Sequence, residues 1–326
     1  MFLLSSTMIL TLKLSATEDA TRAPFGPATH IIHNRARYHH WEGVGPLSIK
    51  SFFNGQAYYE SGEGRFVVDD GSYLLLNQMQ PYSITVDSPT PVESFCLFFE
   101  PGFAEETYRA LATRDERLLD EPTSPSLSPI NLFDRTYPHD DLLSPALLGL
   151  RAALPRRVDD RLWLAEQLHF VMERLLHAHR AVYKEVEALP AARASTREEL
   201  YRRLHRARDY VTASYDQTLT LEEMARVACL SPNHFLRTWK GLFHQTPHQY
   251  LTARRMERAQ HLLLESDDSV TEICLAVGFE SLGSFSWLFR RHTGLSPEAY
   301  RREKGDFKEA GIGAVLYNDS AGAYTV

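Results

Sequence analysis

Residues 235–251 read "FLRTWKGLFHQTPHQYL" and residues 285–301 read "FSWLFRRHTGLSPEAYR". At a constant offset of 50, Phe235 answers Phe285, Trp239 answers Phe289, Lys240 answers Arg290, Thr246-Pro247 answers Ser296-Pro297 and Tyr250 answers Tyr300. A chain that repeats aromatic, cationic and helix-starting residues in register has built one supersecondary unit twice. What that unit is decides the fold.

Within each unit the local signals specify two helices joined by a tight turn. Thr220 caps a helix through "LEEMARVACL", with Glu222 and Glu223 in the first turn, where the helix dipole favours negative charge. Ser231-Pro232 is an N-cap followed by the N1 proline of a second helix. On that helix Phe235, Trp239 and Leu242 are four and three apart and face a core, which turns Asn233, Leu236, Arg237 and Lys240 outward. The second unit repeats the build with one more residue in its turn. Val270, Ile273 and Cys274 answer Leu221, Met224 and Ala225, and Ser281 caps the outer helix. Phe285, Leu288 and Phe289 form the buried side of that helix, leaving Leu282, Gly283, Ser286, Trp287 and Arg290 outward. Thr246-Pro247 starts a helix to about Leu264, a strut of roughly 27 Å between the units. Two helix-turn-helix units on such a strut suit successive major grooves of duplex DNA, ~34 Å apart. Arginine grips guanine, asparagine grips adenine, and lysine holds phosphate. A protein-binding helical module with a solvated basic face is the alternative reading of the same residues.

Charge follows the same division. Residues 193–308 carry 18 Lys+Arg against 15 Asp+Glu, whereas residues 1–192 carry 17 against 25, within a chain of net charge −7. Only the repeat-bearing part has the excess expected of a surface that meets phosphate.

Upstream, residues 28–101 break into short apolar or alternating runs such as "LSIKSFFNG", "RFVVDDGSYLLLN", "YSITVDSP" and "VESFCLFFEPG", each closed by turn residues. That spacing predicts a small antiparallel barrel or sandwich. From residue 103 the pattern turns helical, with a Pro/Ser-rich loop "DEPTSPSLSP" at 120–129 and helices near 142–154 and 159–187. In the longer helix Leu164, Leu168, Val171, Leu175, Ala178 and Val182 alternate by four and three. This seam fits either packing on the barrel or a homodimer contact. "ALPAARAS", 188–195, reads as a linker.

The segment 204–301, from "LHRARDYVTASYDQTLTLEEMARVACL" through "VGFESLGSFSWLFRRHTGLSPEAYR", resembles the C-terminal DNA-binding domain of AraC/XylS-type transcription regulators. The resemblance implies an α+β chain of two domains. These are an N-terminal cupin-like β-barrel with trailing helices and an all-α C-terminal domain of two helix-turn-helix units joined by a long helix. It divides the chain into a regulatory barrel at 1–102, a helical region with a dimerisation role at 103–187, the linker at 188–195, the DNA-binding domain at 196–305 and a mobile tail at 306–326. It places Asn233, Leu236 and Arg237, flanked by Lys240, on base-reading positions of the first outer helix. Leu282, Gly283, Ser284 and Trp287, flanked by Ser281 and Arg290, fall on those of the second. It further implies a cytoplasmic activator that binds double-stranded DNA and engages RNA polymerase, with an N-terminal domain that senses a small-molecule effector or mediates homodimerisation.

Three departures stand out. His244 occupies a helix-ending position that this chain's own second unit gives to Gly294. Gly283 and Trp287 leave the second outer helix few hydrogen-bonding groups, so the first helix is expected to specify most of the sequence. The tail from Asp306 matches nothing in the pattern.

The rival class is a metal-binding cupin enzyme or metal sensor, because His30, His33, His39 and His40 lie close together. "GQAYYESGEGRFVVDDG" carries no histidine where a cupin ligand pair would fall, and no paired carboxylates, nucleophile elbow or phosphate loop appear. The reading is therefore non-enzymatic, with no metal and no cofactor. Phe53, Tyr58, Tyr59 and Phe66 are candidate pocket walls, although strand alternation assigns about half of them to plain core. Cys96, Cys229 and Cys274 make neither a disulfide framework nor a zinc motif, which favours a reducing compartment. The opening "MFLLSSTMILTLKLSA" lacks a basic start and is interrupted by Ser5, Ser6 and Thr7, so it reads as a first strand or an overlong start before Met8 rather than an export signal. No run approaches the ~20 apolar residues of a membrane span.

Overall fold

The computed structural model of the protein describes residues 29–62, 64–112, 130–191 and 193–309. Residues 1–28, the segment 113–129 that includes the expected Pro/Ser-rich loop, and the expected tail beyond residue 309 lie outside the described residues. Two architectures follow one another: a nearly closed antiparallel barrel, then helices.

The barrel comprises β1 (His30–Gly45), β2 (Leu47–Phe53), β3 (Ala57–Ser61), β4 (Gly64–Val68), β5 (Ser72–Leu76), β6 (Gln80–Phe99) and β7 (Thr136–Pro138), joined in the order β4-β3-β6-β2-β5-β7 with β1 also on β6. Its axis is β6. The sequence reading splits this stretch at Ser88-Pro89, yet one strand spans it and pairs with β1 from Phe98 opposite His30 to Gln80 opposite Gly45. The prolines are accommodated because residues 88–91 bulge out opposite the single residue 37. β7 is a further addition. This three-residue strand lies inside the segment read as helical and pairs with the β5 edge through Thr136 opposite Leu74.

Strand alternation divides the apolar residues into two sets. Phe52, Tyr59, Phe66, Leu74, Tyr82 and Phe98 belong to the cluster that lines the barrel interior. Ile49, Phe53, Tyr73, Phe95 and Leu97 belong to a larger cluster shared with the helices. Of the aromatic residues expected to line a pocket, Tyr59 and Phe66 therefore point inward, Phe53 faces the helices, and Tyr58 is exposed.

The helices are α1 (Phe103–Ala112), α2 (Ser144–Arg157), α3 (Arg161–Glu187), α4 (Ala194–Ala213), α5 (Leu221–Val227), α6 (Pro232–Phe243), α7 (Pro247–Glu265), α8 (Val270–Ala276), α9 (Leu282–Thr293) and α10 (Pro297–Glu309). The structure decides between the two readings of the seam on α3. Leu164, Leu168, Val171, Leu175 and Val182 are buried in the chain's own core, so they are unavailable to a second copy. The four-three spacing was real, but it serves the contact with the barrel and α1 and α2. The last helix continues to Glu309, so the first residues of the expected tail, 306–309, are helical.

The first helix-turn-helix shares the large core with the barrel, through Tyr201, Leu204, Met224, Phe235 and Trp239. The second has its own core of Met256, Leu263, Ile273, Phe285 and Phe289. A polar seam runs where α4 meets β7. Asp209 accepts hydrogen bonds from the Thr136 hydroxyl at 2.6 Å and the Thr136 amide at 3.2 Å, and it pairs with Arg208 at 2.8 Å. Beside it Arg135 donates to His205 Nδ1 at 3.2 Å. Burial, reinforced by the Arg135 and Arg208 guanidiniums, holds the His205 imidazole well below its ordinary range and therefore neutral.

The two units differ in how they close their turns. At equivalent left-handed positions the second unit has Gly278 (φ 85°) and Gly294 (φ 82°), whereas the first has Cys229 (φ 51°) and His244 (φ 56°). A side chain in that region costs ~1 kcal/mol relative to glycine. Cys229→Gly and His244→Gly are each expected to raise the urea midpoint at unchanged slope, by up to that amount less the entropy glycine adds to the unfolded chain. A midpoint that falls for both shows that these turns carry no strain.

Candidate nucleic-acid interface

Each outer helix is set by its cap and its core. Thr220, Thr246 and Ser269 form complete capping boxes with Glu223, Gln249 and Glu272, fixing the starts of α5, α7 and α8. Ser281 Oγ accepts from the Ser284 amide at the start of α9. Ser231 has the extended backbone of an N-cap, but its side chain makes no capping hydrogen bond, and Pro232 supplies the start instead.

On α6 the inner face is Phe235, Thr238 and Trp239, all buried. Phe235 and Trp239 pack at 5.2 Å, and Trp239 also meets Phe243 at 4.6 Å. Thr238 returns its hydroxyl to the His234 carbonyl at 2.7 Å, so it stays on the helix. The outer face carries Asn233, Leu236, Arg237 and Lys240, all exposed as expected from the spacing. His234 shares that face and was missed in the sequence, although it lies three residues before Arg237 and so over the same turn.

On α9 Phe285 and Phe289 are buried, 5.7 Å apart. Ser281, Leu282, Gly283, Ser284, Trp287 and Arg290 are exposed, with Trp287 at 60% the most exposed of the apolar ones. Ser286, expected outward, is half-buried because it lies beside Phe285 at the edge of the core. Gly283, Ser284, Trp287 and Leu288 line an open groove. Arg291, four residues after Trp287, places its guanidinium 5.3 Å from the indole ring, a cation behind an apolar reading surface that spacing alone would have revealed.

Between these helices α7 spans 19 residues, about 28 Å. Its Arg255 donates to the carbonyls of Tyr215 and Gln217, tying the strut to the end of α4. Gly278 lies so close to that junction that a Cβ there would sit 2.6 Å from the Asp216 carbonyl oxygen. Glycine is thus required by close approach as well as by φ.

The histidines of the barrel have other employment. His33 Nε2 lies 3.0 Å from Glu93, which also binds Arg35 at 2.8 Å and Arg151 at 2.6 Å. Burial opposes ionisation of Glu93, but hydrogen bonds from Arg151, His33 and Arg35 hold its carboxyl down at about 2. His40 is hydrogen-bonded to Thr85, and His30 stacks on Phe98. Among the described residues no three His, Cys, Asp or Glu side chains converge where a metal ion could sit. Among them, too, no helix is long and apolar enough to cross a membrane.

Comparison with known proteins adds two family profiles. An AraC-like ligand binding domain matches residues 37–169, and a helix-turn-helix domain matches residues 224–303. The melibiose operon regulatory protein of Escherichia coli K12 is 32% identical over 93 residues, which cover 28% of this chain and 31% of that protein. The match thus spans about a third of that relative. The probable transcriptional regulator LumQ of Photobacterium leiognathi is 24% identical over 224 residues, covering 66% of this chain and 85% of its own. Among solved structures, the DNA-binding domain of the global transcriptional factor AdpA, in complex with a target DNA, is 31% identical. That match covers 33% of this chain and 94% of that one, with a TM-score of 0.31.

Proposed function

We propose that this chain, which belongs to the AraC family of transcription regulators, binds specific double-stranded DNA through α6 and α9 and adjusts that binding to a small molecule held in its barrel. One observation carries the reading: two outer helices, each buried on its inner face and exposed along its N-terminal half, stand at the two ends of one capped 19-residue strut. Asn233, Leu236 and Arg237 read base edges from α6, with Lys240 on phosphate. Leu282, Gly283, Ser284 and Trp287 read from α9, with Ser281 and Arg290 on the backbone. The barrel at 1–102 and the helices at 103–187 form the regulatory part, and residues 196–305 form the DNA-binding part. The protein acts in the cytoplasm as an activator that contacts RNA polymerase, and it works as a homodimer. With the α3 seam spent internally, the dimer contact falls on other surfaces, such as the exposed face of α3 that bears Leu162 and Phe170. The relatives bear the names of regulators, and the role proposed here is binding rather than catalysis.

The test is retardation of genomic DNA fragments selected with the full-length protein, repeated over a salt series. Affinity is expected to fall linearly in log–log form, with a slope of about −0.9 per phosphate contacted. Selection that enriches no sequence, at any salt, defeats the proposal.

A further inference from the structure

Among the described residues one lysine, Lys50, lies in the barrel interior. Lys50 lies on β2 between Ser48 and Phe52, and these alternate residues face inward while Ile49 and Phe53 face the helices. It is 1% exposed. Its ammonium donates to the Tyr82 hydroxyl at 3.1 Å and sits 3.6 Å from the centre of the Phe98 ring. Among the described residues no carboxylate pairs with it. An ammonium has three protons to place, and an uncompensated one inside a protein is costly. Burial brings the amine down to about 7, the cysteine Cys96 alongside being a weaker influence in the other direction. Two residues along the same face, the buried Ser48 hydroxyl has no hydrogen-bond partner. A cation and a hydroxyl on one strand face, both short of partners, form the polar half of a binding site.

Resting on the regulatory reading above, we propose that the barrel binds a small monocarboxylate with an apolar body, its carboxylate held by Lys50 Nζ, with the Ser48 and Tyr82 hydroxyls as further donors. The single negative charge follows from the single cation. A phosphate dianion would leave a net charge buried among Phe52, Tyr59, Phe98 and Leu74, whereas a monocarboxylate closes the account. Those same side chains contact the apolar body. Trp41 packs on Tyr82, the hydroxyl partner of Lys50. Their rings meet at 4.9 Å and rest on bare backbone, because a Cβ at Gly43 would lie 2.6 Å from Trp41 and one at Gly45 would lie 2.9 Å from Tyr82. Trp41, in contact with Tyr82, reports a ligand held at this site.

The experiment uses the full-length protein with hexanoate and phenylacetate as probes, and hexanamide and phenylacetamide as their neutral counterparts. At millimolar concentration at least one acid is expected to raise the thermal midpoint and shift the tryptophan fluorescence, and its amide is not. Lys50→Met is expected to lower the acid's affinity by ~100-fold. Without ligand its midpoint should equal or exceed the wild type, because an unpaired buried charge has been removed. Ser48→Ala should weaken the acid at unchanged unliganded midpoint. A lower unliganded midpoint in Lys50→Met makes the lysine structural and overturns the proposal. So does the absence of any shift with both acids, or equal shifts with acid and amide. In each of those cases the wild-type protein still retards its selected DNA, whereas failure of the regulatory reading abolishes that retardation as well.

Discussion

Asp209→Ala is expected to cost the full-length protein ~3–5 kcal/mol of stability, measured by urea unfolding. The carboxylate is 1% exposed and accepts from both the amide and the hydroxyl of Thr136 while neutralising Arg208. Its removal strands a guanidinium that is itself buried, and that uncompensated charge accounts for most of the cost. Replacing the pair together, Arg208→Met with Asp209→Leu, should therefore recover much of the loss. A single Asp209→Ala that costs under ~1 kcal/mol would show that water or relaxation already relieves Arg208, and that the seam holds nothing together.

That seam lies between the barrel and the first outer helix. Thr136 belongs to β7, which pairs with β5, and β5 sends Leu74 and Leu76 into the barrel interior. On the other side, His205 of α4 packs on Phe243 at the end of the first outer helix, with ring centroids 5.1 Å apart. Strand pairing, the Thr136–Asp209 hydrogen bonds and the His205–Phe243 ring contact thus join the barrel lining to α6. The second unit, with its separate core, stands off that path. If the barrel regulates DNA binding as proposed above, its effect is expected to fall first on the helix that carries Asn233 and Arg237.

How much of this was legible in the sequence depended on the range of the interactions. Capping boxes, Pro at N1 and the four-three spacing of Phe235 and Trp239 act within a turn or two, so the double helix-turn-helix and the exposure of its outer faces could be read directly. The barrel's existence was equally readable from alternation and turns. Its detail was not, because β6 passes its prolines by bulging against β1, more than fifty residues away. β7 is three residues long and has no periodicity to detect. The α3 pattern was read correctly as a seam, but a period does not say which surface it meets. The seam around Asp209 was invisible because its partner, Thr136, is 73 residues distant. Lys50 was hidden for a related reason: "LSIKSFF" reads only as a short strand, and the neighbouring strands alone show that the face bearing Ser48 and Lys50 points inward.

The two units also differ in what they offer DNA, and this yields the sharpest functional expectation. Arg237 and Trp287 hold equivalent positions on α6 and α9, both exposed. The arginine presents a planar donor fork that matches guanine O6 and N7, so Arg237→Ala should cost ~1–3 kcal/mol of binding and relax preference at one or two base pairs. The tryptophan has one donor and a broad apolar face beside Gly283, with Arg291 close to its ring. Such a face contacts thymine methyl groups and sugar edges, which discriminate less between bases. Trp287→Ala should therefore lower affinity across all sites while leaving the preferred sequence largely intact. Because neither side chain is in the core, both variants should keep the wild-type circular dichroism. Binding-site selection with the two variants at one fixed salt concentration decides the matter. A scrambled site from Trp287→Ala beside an unaltered one from Arg237→Ala would make α9 the principal reader. In that case sequence discrimination would lie with the unit off the barrel's path, and an effector could change affinity through α6 without changing which site is chosen.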